Sequence, residues 1–425
     1  MDAPRRPKRI ASRTPRVVVR LGGVLTLAGV VLAGGGAARA QSLTGVGFLP
    51  GGTRTFAFGV CRDGSVVVGH GDAAGRDRAF RWTRAGGLEN LGVLPGDLYS
   101  NGLGVSGDGR VVTGRSVLFF ARPYRWTQAG MVGLGELPAG QNATGSALNA
   151  DGSVIVGVAG DFAFRWTAEA GIVNLGALKG GAASSGLGVS ADGAVVVGAS
   201  RVAPAVGMNH AFVWTSGEGM QDLGTLAGGT DSLAVGVSAD GAVIAGHSNA
   251  AGSSYRAWRW SGETGMVNLG ALPGATISFA AAISGDGAAV VGNSVFPTGS
   301  PRAFLWTSGL GVVDLNDYLP TLGIDLSGWE LTHATGASAD GGTIVGTGIH
   351  NGATEGWVAV LRGACRANCD GSTAAPILNI NDFICFQAAF AAGESGANCD
   401  HSTATPVLNI NDFICFQALF AAGCP

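Results

Sequence analysis

"SSGLGVSADGAVVVGAS", from Ser184 to Ser200, returns almost unchanged as "SLAVGVSADGAVIAGHS", from Ser232 to Ser248. In each copy two runs of β-prone residues meet at an Asp-Gly pair, Asp192-Gly193 and Asp240-Gly241. Asp-Gly between such runs signals a tight hairpin, because a type I′ turn needs positive φ at its central residues. Between the copies stand "AFVWT" (Ala211 to Thr215) and "GMQDLGTLAGG" (Gly219 to Gly229), two more strand-like pieces joined at "SGEG". One unit is therefore four short strands.

The same phrase fills the middle of the chain. Asp-Gly recurs at Asp63, Asp108, Asp151, Asp192, Asp240, Asp286 and Asp340, and the longest interval is the last. A tryptophan follows each, at Trp82, Trp126, Trp166, Trp214, Trp260, Trp306 and Trp357. A fixed period decides the whole fold. Four antiparallel strands in about 45 residues make one propeller blade, and seven blades lie within the usual range of about four to eight. The expected fold is mainly β: a seven-bladed β-propeller of four-stranded repeats, with a small α-helical, disulfide-rich module at the C-terminus. Glycine supplies 74 of 425 residues and charged residues only 13%, which suits tight turns and short strands.

The ring also has a means of closure. "LTGVGFLPGG" at Leu43 to Gly52 resembles "LENLGVLPGD" at Leu88 to Asp97, yet it precedes the first Asp-Gly, while the last unit ends at "VAVLRG" without its own copy. Residues 43–49 are expected to complete the last blade.

Residues 1–40 read as an export signal: Arg5, Arg6, Lys8, Arg9, Arg13, Arg16 and Arg20, then "VLTLAGVVLA", then Ala38-Arg39-Ala40. The mature chain is expected to begin at Gln41, with no transmembrane segment after signal removal and a location outside the cytoplasm, secreted or at the cell surface. Of 26 basic and 29 acidic residues, residues 1–40 hold eight and one, leaving 18 against 28 and a net charge of −10. That balance argues against nucleic acid as a partner. The division expected is 1–40 signal, 41–363 propeller and 364–425 C-terminal module.

The units "AFRWT…GLENLGVLPG…GVSGDGRVVTG" and "HAFVWT…GMQDLGTLAGG…GVSADGAVIAG" resemble the HAF-type repeats of bacterial exported proteins over about residues 43–363. Asn209-His210-Ala211-Phe212 spells the motif, while other units have Arg78-Ala79-Phe80 or Arg302-Ala303-Phe304. The resemblance implies an extracellular repeat protein and fixes class better than activity.

Within the repeats, turn chemistry already accounts for the seven aspartates. Alternation puts Phe80 with Trp82, and Phe212 with Trp214, on one side of a strand, as an apolar layer between blades rather than a sugar-stacking platform. Trp258 and Trp329 stand outside the pattern and are candidates for exposed contacts. Two residues before each aspartate lie Cys61, Ser106, Asn149, Ser190, Ser238, Ser284 and Ser338. No histidine is expected in register with these serines, since His70, His210, His247, His333 and His350 fall at different places, so they read as turn hydrogen-bonders rather than nucleophiles. Cys61 reads as a buried free thiol. The irregular segment "DLNDYLPTLGIDLSGWELTHATG", with Asp314, Asp317, Asp325, Glu330 and His333, is where paired carboxylates would serve a glycosidase.

The tail says one sentence twice: "NCDGSTAAPILNINDFICFQAAFAAG" from Asn368 and "NCDHSTATPVLNINDFICFQALFAAG" from Asn398. Each copy reads as an oxygen-rich loop followed by a helix, with Phe383, Phe386 and Phe390 on one face and glycine at the end. Alternating oxygen side chains closed by a carboxylate follow the logic of an EF-hand calcium loop. The pair is similar to a dockerin-like module with paired cysteines in each repeat. By that resemblance Asn368, Asp370, Ser372, Ile377 (through its carbonyl), Asn379 and Asp382 would hold one calcium ion. Asn398, Asp400, Ser402, Val407, Asn409 and Asp412 would hold a second. Asparagine replaces the usual first aspartate and each loop is lengthened, so binding belongs at the weak extracellular end, about 10⁻⁴–10⁻³ M, or is lost. The cysteines suggest Cys369 with Cys385, Cys399 with Cys415 and Cys365 with Cys424, among fifteen possible pairings.

Together these readings favour a non-catalytic exported protein, assembled through its calcium-binding tail onto a cohesin-like or surface partner, with the propeller as interaction surface. The alternatives are an extracellular polysaccharide-acting enzyme, which requires a carboxylate pair in a cleft, and a lectin-like propeller, which requires repeated exposed aromatic pockets. Millimolar calcium is expected to raise the melting temperature of the oxidised tail in differential scanning calorimetry, with reversal by chelator; an unchanged transition would leave a metal-free spacer.

Overall fold

The computed structural model describes residues 41–361 apart from 136–140, 203–207 and 253, together with Gln387. It forms seven four-stranded antiparallel sheets, six of them consecutive in the chain at 55–90, 99–133, 143–174, 184–224, 232–270 and 277–314. The seventh combines Trp329–Ala337, Thr343–His350 and Ala353–Val360 with the N-terminal strand Ser42–Gly45, which pairs Ser42 with Val360 and Gly45 with Trp357. The ring is thus locked by strands from both ends, as the stranded copy at Leu43 implied. The closing strand is shorter than residues 43–49 because the chain turns inward at Val46, whose N–H donates to the Gly356 carbonyl at 2.9 Å. Val46 and Leu49 then bury between the last and first blades with Ala57, Phe80 and Val358. The buried Glu355 carboxylate secures the turn, accepting from Gly47 N–H at 2.8 Å and facing His350 Nδ1 at 2.6 Å.

The apolar residues form a separate layer at each blade interface rather than one central core. In every blade an aromatic ring of the third strand lies opposite a glycine of the second: Phe80 on Gly69, Phe212 on Gly198, Trp258 on Gly246, Trp357 on Gly346. Glycine is needed because a Cβ at Gly246 would run into the Leu233 carbonyl and the Trp258 ring. This corrects two expectations. Trp258 is fully buried, filling the position that phenylalanine holds elsewhere, and Trp357 occupies that same aromatic position, with Ala359 standing where the other blades have the repeat tryptophan.

The Asp-Gly turns join the innermost strand of each blade to the second. Only their glycines have positive φ, 71° at Gly64 and 76° at Gly193, so they are not type I′ turns. Each is a four-residue loop in which the glycine N–H bonds back to the serine-position carbonyl, as Gly193 does to Ser190 at 3.0 Å. The residue before each aspartate then reaches across to the next blade. Arg62 N–H donates to Gly107, Gly107 to Ala150, Ala150 to Ala191, Ala191 to Ala239 and Ala239 to Gly285; Asp286 N–H donates to Ala339, and Ala339 to Arg62. The circle closes with every bond between 2.7 and 3.1 Å.

Arginine side chains staple the same turns from outside: Nε of Arg81, Arg125, Arg165 and Arg259 donates to the turn-glycine carbonyl of the following blade at 3.0 to 3.2 Å. Each innermost strand carries a β-bulge one turn above the circle, between Ala57 and Gly59 in the first blade and Gly186 and Gly188 in the fourth. A bulge re-aims a side chain and blunts a strand edge. The bulged residues, among them Phe58, Leu103, Leu187 and Val235, line an axial channel of about 620 Å³.

A chain without residues 42–46 would leave the edge of Ala353–Val360 unpaired. It is expected to melt at lower temperature, over a broader range, and to multimerise on size exclusion; an unchanged melt would show that the closing strand contributes nothing.

Candidate functional site

The longest interval between repeats, from Asp286 to Asp340, falls between the sixth and seventh blades, and the structure places a short helix there, Leu315–Thr321. Asp314 ends the outer strand of the sixth blade and caps this helix, accepting from Asn316 N–H at 2.8 Å. Asp317 adds an acidic residue to the first turn, where it complements the helix dipole. Leu315 and Leu319 bury against Ile324 and Leu331, which fixes the helix on the blade. Arg302, at the start of the third strand, then meets both carboxylates: its Nη1 lies 2.8 Å from Asp314 and 3.6 Å from Asp317.

These groups line a cleft of about 380 Å³, walled by Tyr318, Phe296 and Pro273. That volume lies within the range of small-molecule sites, about 300–1,000 Å³. The two carboxylates differ in environment. Burial pushes the Asp314 carboxyl above the usual range, against the pull of Asn316 and Arg302, whereas the Asp317 side chain is 73% exposed. Two carboxyl groups in unlike surroundings are the arrangement from which acid and base roles are drawn.

The other residues singled out in the sequence do not converge. Asp325 caps its own turn through Ser327 at 2.8 Å, Glu330 is exposed, and His333 is half-buried with Nδ1 2.9 Å from Thr332. Trp329 is half-buried and stacks on His350, with ring centroids 4.1 Å apart. The turn serines donate to their aspartates, Ser106 to Asp108 at 2.6 Å and Ser190 to Asp192 at 2.6 Å, which holds Asp108 and Asp192 below the usual carboxylate range. Each also accepts a backbone N–H five residues on, as Ser190 does from Val195 at 2.9 Å. The Cys61 thiol makes the same contacts, to Asp63 at 3.0 Å and from Val66 N–H at 3.1 Å, and burial pushes it up, away from reactivity.

One reading of the histidines is corrected. His70 and His247 do share a register, each seven residues beyond its Asp-Gly aspartate and each one residue after the second-strand glycine. Neither reaches a turn serine. His70 stacks on Phe56 and Phe58 at 5.0 and 5.3 Å, and its Nδ1 is buried without a hydrogen-bond partner among the described residues. His247 meets Phe279 edge-on at 4.9 Å.

Arg302, Tyr318 and Phe296 were missed by linear reading. A signal for Arg302 existed: arginine recurs two residues before the buried aromatic, at Arg78, Arg122, Arg256 and Arg302. Each reaches a connection that leaves or enters its blade, as Arg122 does to the buried Asp97 at 2.7 Å. The expected calcium ligands, Asn368 to Asp382 and Asn398 to Asp412, and the six cysteines Cys365 to Cys424 lie outside the described residues. Among the described residues no three His, Cys, Asp or Glu side chains are grouped to hold a metal, and no helix is long and apolar enough to cross a membrane.

No protein-family model matches the chain, and no curated protein does. Among solved structures, an oligogalacturonate lyase from Vibrio parahaemolyticus superposes with a TM-score of 0.53 at 13% identity, over 75% of this chain and 93% of that one. An oligogalacturonate lyase in complex with manganese gives 0.53 at 16% identity, over 75% and 93%. The likeness is one of propeller fold. It overturns the expectation that the chain is not an enzyme, since the architecture on which that expectation rested is one that lyases use.

Burial holds His70, His247 and His333 below the usual imidazole value of 6.5. Above pH 6.5 both folded and unfolded chains keep these rings neutral; below it the unfolded chain takes up protons that the folded chain resists. Stability is therefore expected to fall as pH drops from 6.5 toward the folded values. The double variant His70→Asn, His247→Asn, which copies Asn293 of the sixth blade, should show a flatter melting temperature between about pH 7 and pH 5; an equal slope would place the effect elsewhere.

Proposed function

We propose that the protein is exported and acts on an extracellular polysaccharide at the cleft beside the sixth blade, with Asp317 and Asp314 as its carboxyl pair. The observation that carries this reading is the convergence of two unlike carboxyl groups and a guanidinium on an aromatic-walled cleft in the one segment where the repeat is interrupted. Asp314, whose carboxyl is raised above the usual range by burial, suits proton donation to a glycosidic oxygen. Asp317, open to solvent, suits the basic or nucleophilic role. Arg302 positions both, and Tyr318 and Phe296 offer apolar faces to a sugar ring. The fold's use by proteins named for action on oligogalacturonate supports the substrate class. In this reading residues 1–40 direct export, residues 41–363 form the working domain, and residues 364–425 attach the protein to a cohesin-like or surface partner through a disulfide-held, calcium-binding module.

The test is release of reducing ends from a panel of neutral and acidic polysaccharides. Asp317→Asn is expected to lower turnover by about 10²-fold or more while leaving stability within about 0.5 kcal/mol. Asp314→Asn should keep the helix cap, since asparagine caps about as well as aspartate, while losing the ion pair with Arg302. Retention of a polysaccharide in affinity electrophoresis without turnover would favour the lectin-like alternative. Neither turnover nor retention would remove the cleft from consideration.

A further inference from the structure

The axial channel is a second concave site, independent of the cleft. Its wall is built from the bulged residues and from the residue that precedes each turn serine, Val60, Val105, Leu148, Val189, Val237 and Ile283 among them. Most side chains of this wall are apolar, with Ser146, Asn149, Thr335 and exposed backbone adding polar surface, and its volume of about 620 Å³ exceeds that of the cleft. Seven inner strands converging on an axis do not demand such a lining, because the layers between blades already bury the core. Ser146 and Thr335 show that polar side chains fit the bulged position.

One mouth of the channel is the circle of backbone hydrogen bonds. Six of its seven positions carry glycine or alanine, and the seventh is Arg62. Among the described residues Arg62 is the one charged residue in the channel wall. Its backbone is held on both sides, by its N–H to Gly107 and its carbonyl to Ala339. Its side chain is exposed, and no hydrogen bond or ion pair of its guanidinium is found among the described residues. The backbone therefore fixes the Cα that carries this cation at the mouth of the channel, while the guanidinium keeps its five donors for a ligand. A guanidinium in that state matches a carboxylate in two-point geometry.

We propose that the channel binds a monocarboxylate with an aliphatic body, the chain lying between the apolar rings and the head group on Arg62. Charge complementarity selects an anion at this mouth, and the apolar side chains of the wall favour an aliphatic body. The site does not share residues with the carboxylate cleft and does not depend on the catalytic reading of that cleft.

The experiment is calorimetry of the full chain with dodecanoate below its micellar concentration and, in parallel, dodecanol below its solubility limit. The wild type is expected to take one dodecanoate per chain. Arg62→Ala copies the residue at four of the other six positions, so its folding is safeguarded; it should weaken dodecanoate by about tenfold or more while leaving dodecanol unchanged. Ala281→Phe, which copies Phe58 of the first blade, should plug the channel and abolish both, and Ser146→Phe does the same from another blade should the first variant misfold. No dodecanoate uptake by the wild type would overturn the proposal, leaving a water-filled channel. Uptake unaffected by either plug would place the ligand outside the channel, and uptake indifferent to Arg62→Ala would remove the guanidinium from the site.

Discussion

Seven backbone hydrogen bonds, passed from turn to turn around the axis, set the terms for the rest of the molecule. Each is an ordinary bond, worth about 1 kcal/mol net, but they form a circle, so no blade can shift without straining its neighbours. The circle requires every inner hairpin to end at the same height, which explains why the Asp-Gly pair is kept in all seven copies, with serine, cysteine or asparagine two residues before it, while the spacing between copies varies. It also draws seven inner strands close together. The glycine or alanine just beyond each bulge answers that crowding: a Cβ at Gly188 would stand 2.9 Å from the Gly236 backbone of the next blade.

Between blades the chain relies on hydrogen bonds from small hydroxyls more than on charge. Ser100, Ser232 and Ser278 each accept a third-strand N–H of the preceding blade and donate to a carbonyl of its outer connection. Ser116, Ser200, Ser248 and Ser294 accept a leucine N–H in the same connections. Such groups bury cheaply because every polar atom finds a partner. A chain with 13% charged residues can therefore hold its blades together without an ion-pair network.

Against this regular frame, chemistry depends on departures from the repeat. The cleft arises where an insertion brings a helix cap and an acidic first turn onto an arginine that serves other blades as a structural strap. The channel acquires a single charge because one of seven equivalent positions departs from glycine or alanine. A propeller is a frame for many activities. The lyases that share it are only 13% and 16% identical to this chain, so the likeness extends to the frame and leaves the chemistry to the departures.

Blade number, strand count and closure by the N-terminal strand were determined by the sequence alone, because period, turn residues and a misplaced copy are one-dimensional signals. The turn role of the serines and of Cys61 was legible for the same reason: their partners lie within five residues. Tertiary structure decided the rest. The burial of Trp258, the shared register of His70 and His247, the pairing of Arg302 with Asp314 and Asp317, and the isolation of Arg62 in a circle of small residues all depend on which strands meet across a blade or a blade interface. Those meetings are set by packing around the axis, where residues tens or hundreds of positions apart become neighbours.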